Sequence, residues 1–144
     1  MKVYLSGEIH SNWREAIEKG CKEKGLKIEF LKPETVHEQS DDAGDNLGAE
    51  DKPFWKDHKS AKINSIRISN GIKSADLVVV KFGEKYRQWN AAFDAGYCAA
   101  LGKPYIVLHP EEFNHALKEV NAAAKATAKN ETQVVEILEY LHRP

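Results

Sequence analysis

Cysteine, charge of one sign and long apolar runs are what this chain has least of. Only Cys21 and Cys98 occur in 144 residues, far apart and both in segments with helical spacing. Two buried free thiols in a reducing compartment suit that usage better than a disulfide framework. No run approaches the roughly 18 apolar residues of a membrane-spanning helix, and the N-terminus goes straight into a strand pattern rather than a basic, apolar leader. A cytoplasmic protein with no membrane partner is expected. Lys plus Arg number 21 against 22 Asp plus Glu, a formal net charge of -1. That leaves no overall basic field to hold polymeric nucleic acid, whereas a small nucleoside or nucleotide needs only local complementarity. The histidines at 10, 37, 58, 109, 115 and 142 show no His-x-x-x-His or Cys/His spacing, so no structural metal is expected. A serine nucleophile lacks its Gly-x-Ser-x-Gly elbow.

What is present is an alternation of strand and helix patterns. Residues 2–6 read as a strand, and 12–24 as a helix in which Trp13, Ala16, Ile17 and Cys21 recur at helical spacing before Gly25 stops it. Residues 27–31 read as a second strand ended by Pro33. The unbroken apolar run Leu77-Val78-Val79-Val80 is typical of a parallel strand covered by helices on both faces. It opens a third strand over 77–82, and a helix over 90–102 leads from there to a fourth over 104–109. In the tail we expect a helix over 111–123, a short edge strand near 126–128, and an amphipathic helix over 131–142 with Val134, Val135, Ile137, Leu138 and Leu141 as its apolar set. The sum is a single-domain, three-layer α/β fold, doubly wound in the Rossmann or flavodoxin manner, with a mostly parallel sheet of four or five strands.

Two segments stand outside that pattern. The stretch 32–58 has little periodicity, with eight acidic residues against three basic ones. Structureless segments of that length are usually lids, binding loops or disordered, and the adjacent Phe54 and Trp55, poor candidates for full exposure, favour a lid or binding loop. The helix expected over 59–75 carries two apolar stripes, Ala61, Ile68, Ile72 and Ala75 on one side and Ile63 and Ile66 on the other. A monomer's surface helix needs one stripe, so either the acidic loop or a neighbouring subunit covers the second.

The richest segment runs from Gln88 to Pro104, Gln-Trp-Asn-Ala-Ala-Phe-Asp-Ala-Gly-Tyr-Cys-Ala-Ala-Leu-Gly-Lys-Pro. It resembles the Asp-x-Gly-Thr-x-x-Glu-x-Gly-Tyr-Ala-x-x-x-Gly-Lys-Pro signature of the nucleoside 2-deoxyribosyltransferase superfamily, whose glutamate attacks the anomeric carbon of the sugar. The start Tyr4-Leu5-Ser6-Gly7 is similar to the Tyr-Leu-Ala-Gly opening of those enzymes, whose tyrosine orients the nucleophile. More narrowly, residues 4–14 and 86–97 resemble the YtoQ-type branch, nearly along the whole chain. The resemblance implies Asp94 as nucleophile and Tyr4 as its orienting group, no cofactor, a nucleoside or nucleotide substrate, and a homo-oligomer. The departures from the signature are Gln88 for a base-contacting aspartate, Asn90-Ala91 for Gly-Thr, and Asp94 for glutamate. The shorter side chain draws the carboxylate back on the order of 1.5 Å, and misplacements of about 1 Å can cost roughly a hundredfold in rate. The Gly-Gly-x-Gly-Thr loop of lysine-decarboxylase-like nucleotide hydrolases is missing.

Read from the residues, Asn90 is a good N-cap, which would put Asp94 in the first helical turn beside the free amides and keep it ionised. Asp94 either serves a site there or merely favours the helix dipole. Tyr4 is a core aromatic on the bland reading. Ser6, Gly7 and Glu8 leave the first strand at its C-terminal end, toward the Asp94 rim, with Glu8 a general acid or a solvated loop charge and His10 equally ambiguous. Lys81, Lys85 and Arg87, with Gly83 among them, form an anion site or ordinary exposed charge. Gln88 and Trp89 read a base, unless Trp89 anchors its helix in the core. The leading function is an N-glycosidic hydrolase or transferase for a nucleoside or nucleoside monophosphate; the rivals are a non-catalytic nucleotide-binding module and an oligomeric scaffold. The enzyme reading requires the Tyr4 hydroxyl within about 3.5 Å of the Asp94 carboxylate in an open cleft.

Overall fold

The computed structural model describes residues 1–85, 87 and 89–143. The chain runs β1 (Lys2–Gly7), α1 (Trp13–Glu23), β2 (Glu29–Leu31), α2 (His37–Asp41), α3 (Pro53–Ser74), β3 (Leu77–Lys81), α4 (Trp89–Ala100), β4 (Tyr105–Leu108), α5 (Lys118–Ala123), β5 (Ala126–Ala128) and α6 (Glu131–His142). Five parallel strands form one sheet in the order β2-β1-β3-β4-β5, with β1 and β3 in register from Val3 opposite Leu77 to Gly7 opposite Lys81.

Side chains alternate between the two faces of the sheet, and each face builds its own core. Val3, Leu5, Leu77, Val79, Ile106 and Leu108 pack with Trp13, Ile17 and Cys21 of α1 and Val134, Val135 and Leu138 of α6. Tyr4, Val78, Val80, Tyr105 and Val107 pack with Ile72 of α3 and Ala91, Ala95 and Cys98 of α4. The connection from β1 to β2 crosses one face and the connection from β2 to β3 crosses the other, as right-handed crossovers demand. The direction of winding therefore reverses between β1 and β3, and the crevice outside their C-terminal ends is where such sheets bind ligands.

The expected α/β order holds, with three changes. First, α3 begins at Pro53 rather than at 59. Proline suits a first helical position, so Phe54, Trp55 and His58 belong to the first turns of the helix, where their rings cluster with centroids 5.0 to 5.9 Å apart. The rest of the acidic stretch is not structureless, since α2 and a 3-10 turn at Asp45–Leu47 lie within it. Second, the helix expected over 111–123 is broken into a 3-10 turn at Glu111–Phe113 and the short α5. The His109 ring ties the two pieces together: it contacts the Pro110 carbonyl at 2.7 Å and Asn121 Oδ1 at 3.0 Å. A straight helix separates those residues by about 16 Å, so the segment folds back over the end of β4. Third, β2 is shorter than expected. The tail otherwise follows expectation, with β5 at the sheet edge and α6 capped by Asn130, whose side chain accepts from the Gln133 amide at 3.0 Å. Among the described residues no helix is long and apolar enough to cross a membrane.

Candidate functional site

At the crevice, β1 and β3 approach so closely that Gly7 is required. Its φ is +102°, and a Cβ there would stand 2.2 Å from the Lys81 carbonyl oxygen. Arg14 fixes the loop that leaves β1. Its buried guanidinium donates to the Leu5, Gly7 and Glu8 carbonyls at 3.0, 3.1 and 2.7 Å and stacks 4.5 Å over the Trp13 ring. Burial pulls its pKa down to about 10, so it remains charged at neutral pH. Composition offered no signal for this role, but position did: Arg14 lies three and seven residues before Ile17 and Cys21, on the stripe of α1 that faces the core.

Tyr4 and Ser6 are two residues apart on the α4 face of β1, with Ser6 nearer the crevice. Ser6 is the group that reaches the candidate nucleophile: its hydroxyl donates to Asp94 Oδ2 at 2.5 Å in a fully buried contact. Tyr4 does not hydrogen-bond the Asp94 carboxylate, the contact that the orienting role implied by the resemblance would use. Its hydroxyl is buried without a hydrogen-bond partner among the described residues, and its ring packs against α3, where a Cβ on Gly71 would come within 2.4 Å of Tyr4 Cε2. Burial first, and the nearby Asp94 second, hold the Tyr4 hydroxyl protonated, well above the ordinary phenol range.

Asp94 itself is not where capping logic puts it. The helix α4 begins at Trp89, so Asn90 is inside the first turn and Asp94 is the sixth residue, in the second turn. Ala91, Asp94, Ala95 and Cys98 form the buried stripe of α4, which places the carboxylate inward, 9% exposed, instead of beside the free amides. Desolvation therefore raises its pKa above the usual carboxylate value, and the Ser6 hydroxyl opposes that rise.

Two cavities share this carboxylate. One, of about 340 Å³, is open at the crevice and includes Gly7, His10, Arg87, Trp89, Asn90 and Asp94 in its walls. The other, of about 740 Å³, runs between α2, α3 and α4, and Ser40, Asn64, Ile68, Asn90 and Asp94 belong to both. Sequence reading missed the α3 side of the smaller cavity, Asn64 and Arg67, together with Glu34, which pairs with Arg67 at 3.1 Å. Their signal was the spacing of Asn64, Arg67 and Ile68 at i, i+3 and i+4, a polar extension of the stripe that Ile68 and Ile72 begin.

The remaining candidates divide. Glu8 is not a solvated charge: it is buried and accepts from the His10 amide and, at 2.6 Å, from the Ser11 hydroxyl. Gly83 passes so close that a Cβ would meet Glu8 Cγ at 2.4 Å. The expected basic group comes apart. Alternation along β3 sends Lys81 to the α6 face, where it pairs with Glu131 at 2.5 Å, while Arg87 lies at the cavity over the Trp89 ring, 5.7 Å from its centroid. Trp89 is 72% exposed and is not a core anchor. Gln88 lies outside the described residues. Among the described residues no group of three or more His, Cys, Asp or Glu side chains is placed to hold a metal ion.

Comparison with known proteins identifies the family and the fold. A family model described as nucleoside 2-deoxyribosyltransferase YtoQ matches residues 4–142. A Bacillus subtilis (strain 168) protein described as uncharacterized protein YtoQ is 44% identical over 140 residues, 96% of this chain and 95% of that one. Among solved structures, a 2-deoxyribosyltransferase from Bacillus psychrosaccharolyticus superposes with a TM-score of 0.59 at 18% identity, over 94% of this chain and 90% of that one. A conserved protein from Enterococcus faecalis V583 superposes at 0.61 and 15% identity, over 98% of both. At those identities the structural likeness speaks for the fold.

Proposed function

The chain belongs to the nucleoside 2-deoxyribosyltransferase YtoQ family, and from that membership we propose that it cleaves or exchanges the N-glycosidic bond of a nucleoside or nucleoside monophosphate, with Asp94 as nucleophile. The observation that carries this reading is the Asp94 carboxylate itself. One of its oxygens is held by Ser6, and the residue lies where two cavities meet at the C-terminal edge of β1 and β3. Burial raises its pKa above the usual carboxylate value and the Ser6 hydroxyl opposes that rise.

In the proposed cycle Asp94 Oδ1 attacks C1′, the C1′–N bond breaks, and the base leaves with that electron pair and takes up a proton. His10 lines the cavity and is the group assigned to supply that proton, because the Glu8 oxygens accept the two loop hydrogen bonds. Water or a second base then attacks C1′ and releases the carboxylate. Asn90 and Trp89 line the same cavity and are assigned to the substrate, the indole by stacking. The exposed Ile66, on the second stripe of α3, and the exposed Phe93, in the wall of the larger cavity, support the expected homo-oligomer.

The absence of a Tyr4 to Asp94 hydrogen bond favours the second reading, a nucleotide-binding module that has kept the pocket and lost the chemistry. Incubation with a panel of nucleosides and nucleoside monophosphates, followed by chromatography for free base, separates the two. Base release is expected from the wild type, with a fall of at least about a thousandfold in Asp94→Asn, whose amide cannot attack C1′. Equal release by that variant removes Asp94 as nucleophile, and binding without release favours the module.

A further inference from the structure

The smaller cavity holds a charge arrangement that glycosidic chemistry alone does not explain. Arg67 comes to it from α3 and Arg87 from the segment before α4, with His10 and His37 in the same walls. Opposite them stand two carboxylates, Asp94 and Glu34. Glu34 is fixed at both ends: one oxygen accepts from the Val36 amide at 3.0 Å, and the other lies 3.1 Å from Arg67 Nη1. While that pair persists, the Arg67 charge is cancelled within the protein and Arg87 is the cation left facing a ligand on that side.

We propose that Arg67 and Arg87 are the receptor for the 5′-phosphate of the sugar, and that Glu34 holds the Arg67 guanidinium until the phosphate displaces it. The inference rests on the glycosidic reading and names the substrate class, a nucleoside 5′-monophosphate rather than a free nucleoside. Guanidinium groups bind phosphate oxygens in bidentate fashion. A dianion calls on both arginines, because while Glu34 holds Arg67 the two guanidinium charges are reduced to that of Arg87 alone. The exchange is easy: the Arg67 side chain is 54% exposed, and ion pairs of that kind contribute little. The furanose ring holds C1′ and the 5′-phosphate at opposite ends, so one cavity presents the arginines to the phosphate and Asp94 to the anomeric carbon.

The probe is the sugar without the base. Calorimetric or NMR titration of the wild type compares 2-deoxyribose 5-phosphate, 2-deoxyribose and inorganic phosphate. The sugar phosphate is expected to bind at least about tenfold more tightly than either fragment, with a preference that shrinks as salt is added. Arg67→Gln and Arg87→Gln each reduce the preference over 2-deoxyribose, while Glu34→Gln increases it several-fold. Equal affinity for sugar and sugar phosphate overturns the proposal. So does an unchanged preference in Arg67→Gln with an intact melting transition, or weaker sugar-phosphate binding in Glu34→Gln. If base is released from nucleosides with no phosphate preference, the glycosidic reading stands and the phosphate receptor fails. A phosphate preference without base release upholds the receptor and removes the glycosidic reading.

Discussion

At the scale of single residues, the telling exchange is between Tyr4 and Ser6. The superfamily opening that residues 4–7 resemble carries alanine at the Ser6 position, and here that position supplies a hydroxyl to the shorter carboxylate of Asp94. A buried hydrogen bond to a charged group is worth roughly 1.5–3 kcal/mol, enough to decide how a one-methylene-shorter carboxylate is aimed. Ser6→Ala should therefore lower kcat by about tenfold to a hundredfold with KM little changed. The pH profile gives a second, independent reading. In the proposed cycle Asp94 must be ionised to attack; burial raises its pKa, and Ser6 lowers it. Removing the hydroxyl favours the protonated form, so the acid limb of activity should move to higher pH. A pH profile that stays in place while kcat falls would show that Ser6 matters only for packing.

At the scale of elements, the glycines of α3 and α4 show what a helix pattern conceals. Gly71 faces the Tyr4 ring, and a Cβ there would sit 2.4 Å from an aromatic carbon, whereas a Cβ on the exposed Gly96 meets nothing within 4 Å. Alanine gains about 1 kcal/mol of helix propensity over glycine at either position, but overpacking costs about 1–3 kcal/mol. Gly71→Ala should destabilise and Gly96→Ala should stabilise, by thermal melting; the same sign for both would refute the close contact between α3 and β1. Such contacts are non-local, which is why they were not legible in advance. The order of elements was legible, since it rests on local periodicity in runs such as Leu77-Val78-Val79-Val80, and so was the placing of Asp94 after β3. The direction of a side chain was harder. Asn90 has the chemistry of a cap, yet helix α4 starts one residue earlier, and the inward stripe of Ala91, Ala95 and Cys98 was the stronger guide to Asp94. Lys81 was assigned by its neighbours in sequence when strand alternation sends it to Glu131. Arg67 lies 27 positions before Asp94 in the chain, and only the winding of the sheet brings the two to one cavity.

At the scale of the whole molecule, stability and ligand contact are assigned to different parts of the chain. Both apolar clusters lie against the sheet, and no residue of 34–52 belongs to either. That stretch, which supplies Glu34, His37 and Ser40 to the smaller cavity, is held to α3 by polar contacts. Ser60 Oγ donates to the Asp41 carbonyl at 2.5 Å and accepts from the Gly44 amide at 3.0 Å, Asn64 donates to the Ser40 carbonyl at 2.9 Å, and Lys56 pairs with Asp42 at 2.8 Å. Segments with few buried apolar contacts open locally at far lower free energy than the core, so amides over 37–47 should exchange with deuterium well before those of β1 and β3. The tether can be loosened at one point. Gly44 lies so close to α3 that a Cβ would stand 2.7 Å from Lys59 Cβ and 2.8 Å from the Ser60 amide nitrogen, a clash with backbone that must push the segment away. Gly44→Ala should therefore speed exchange over 37–47 about tenfold or more, leave β1 and β3 protection unchanged, and weaken ligand binding through the displaced cavity wall. If protection of the sheet falls together with that of the segment, the acidic stretch unfolds with the core and is not a separately mobile wall of the site.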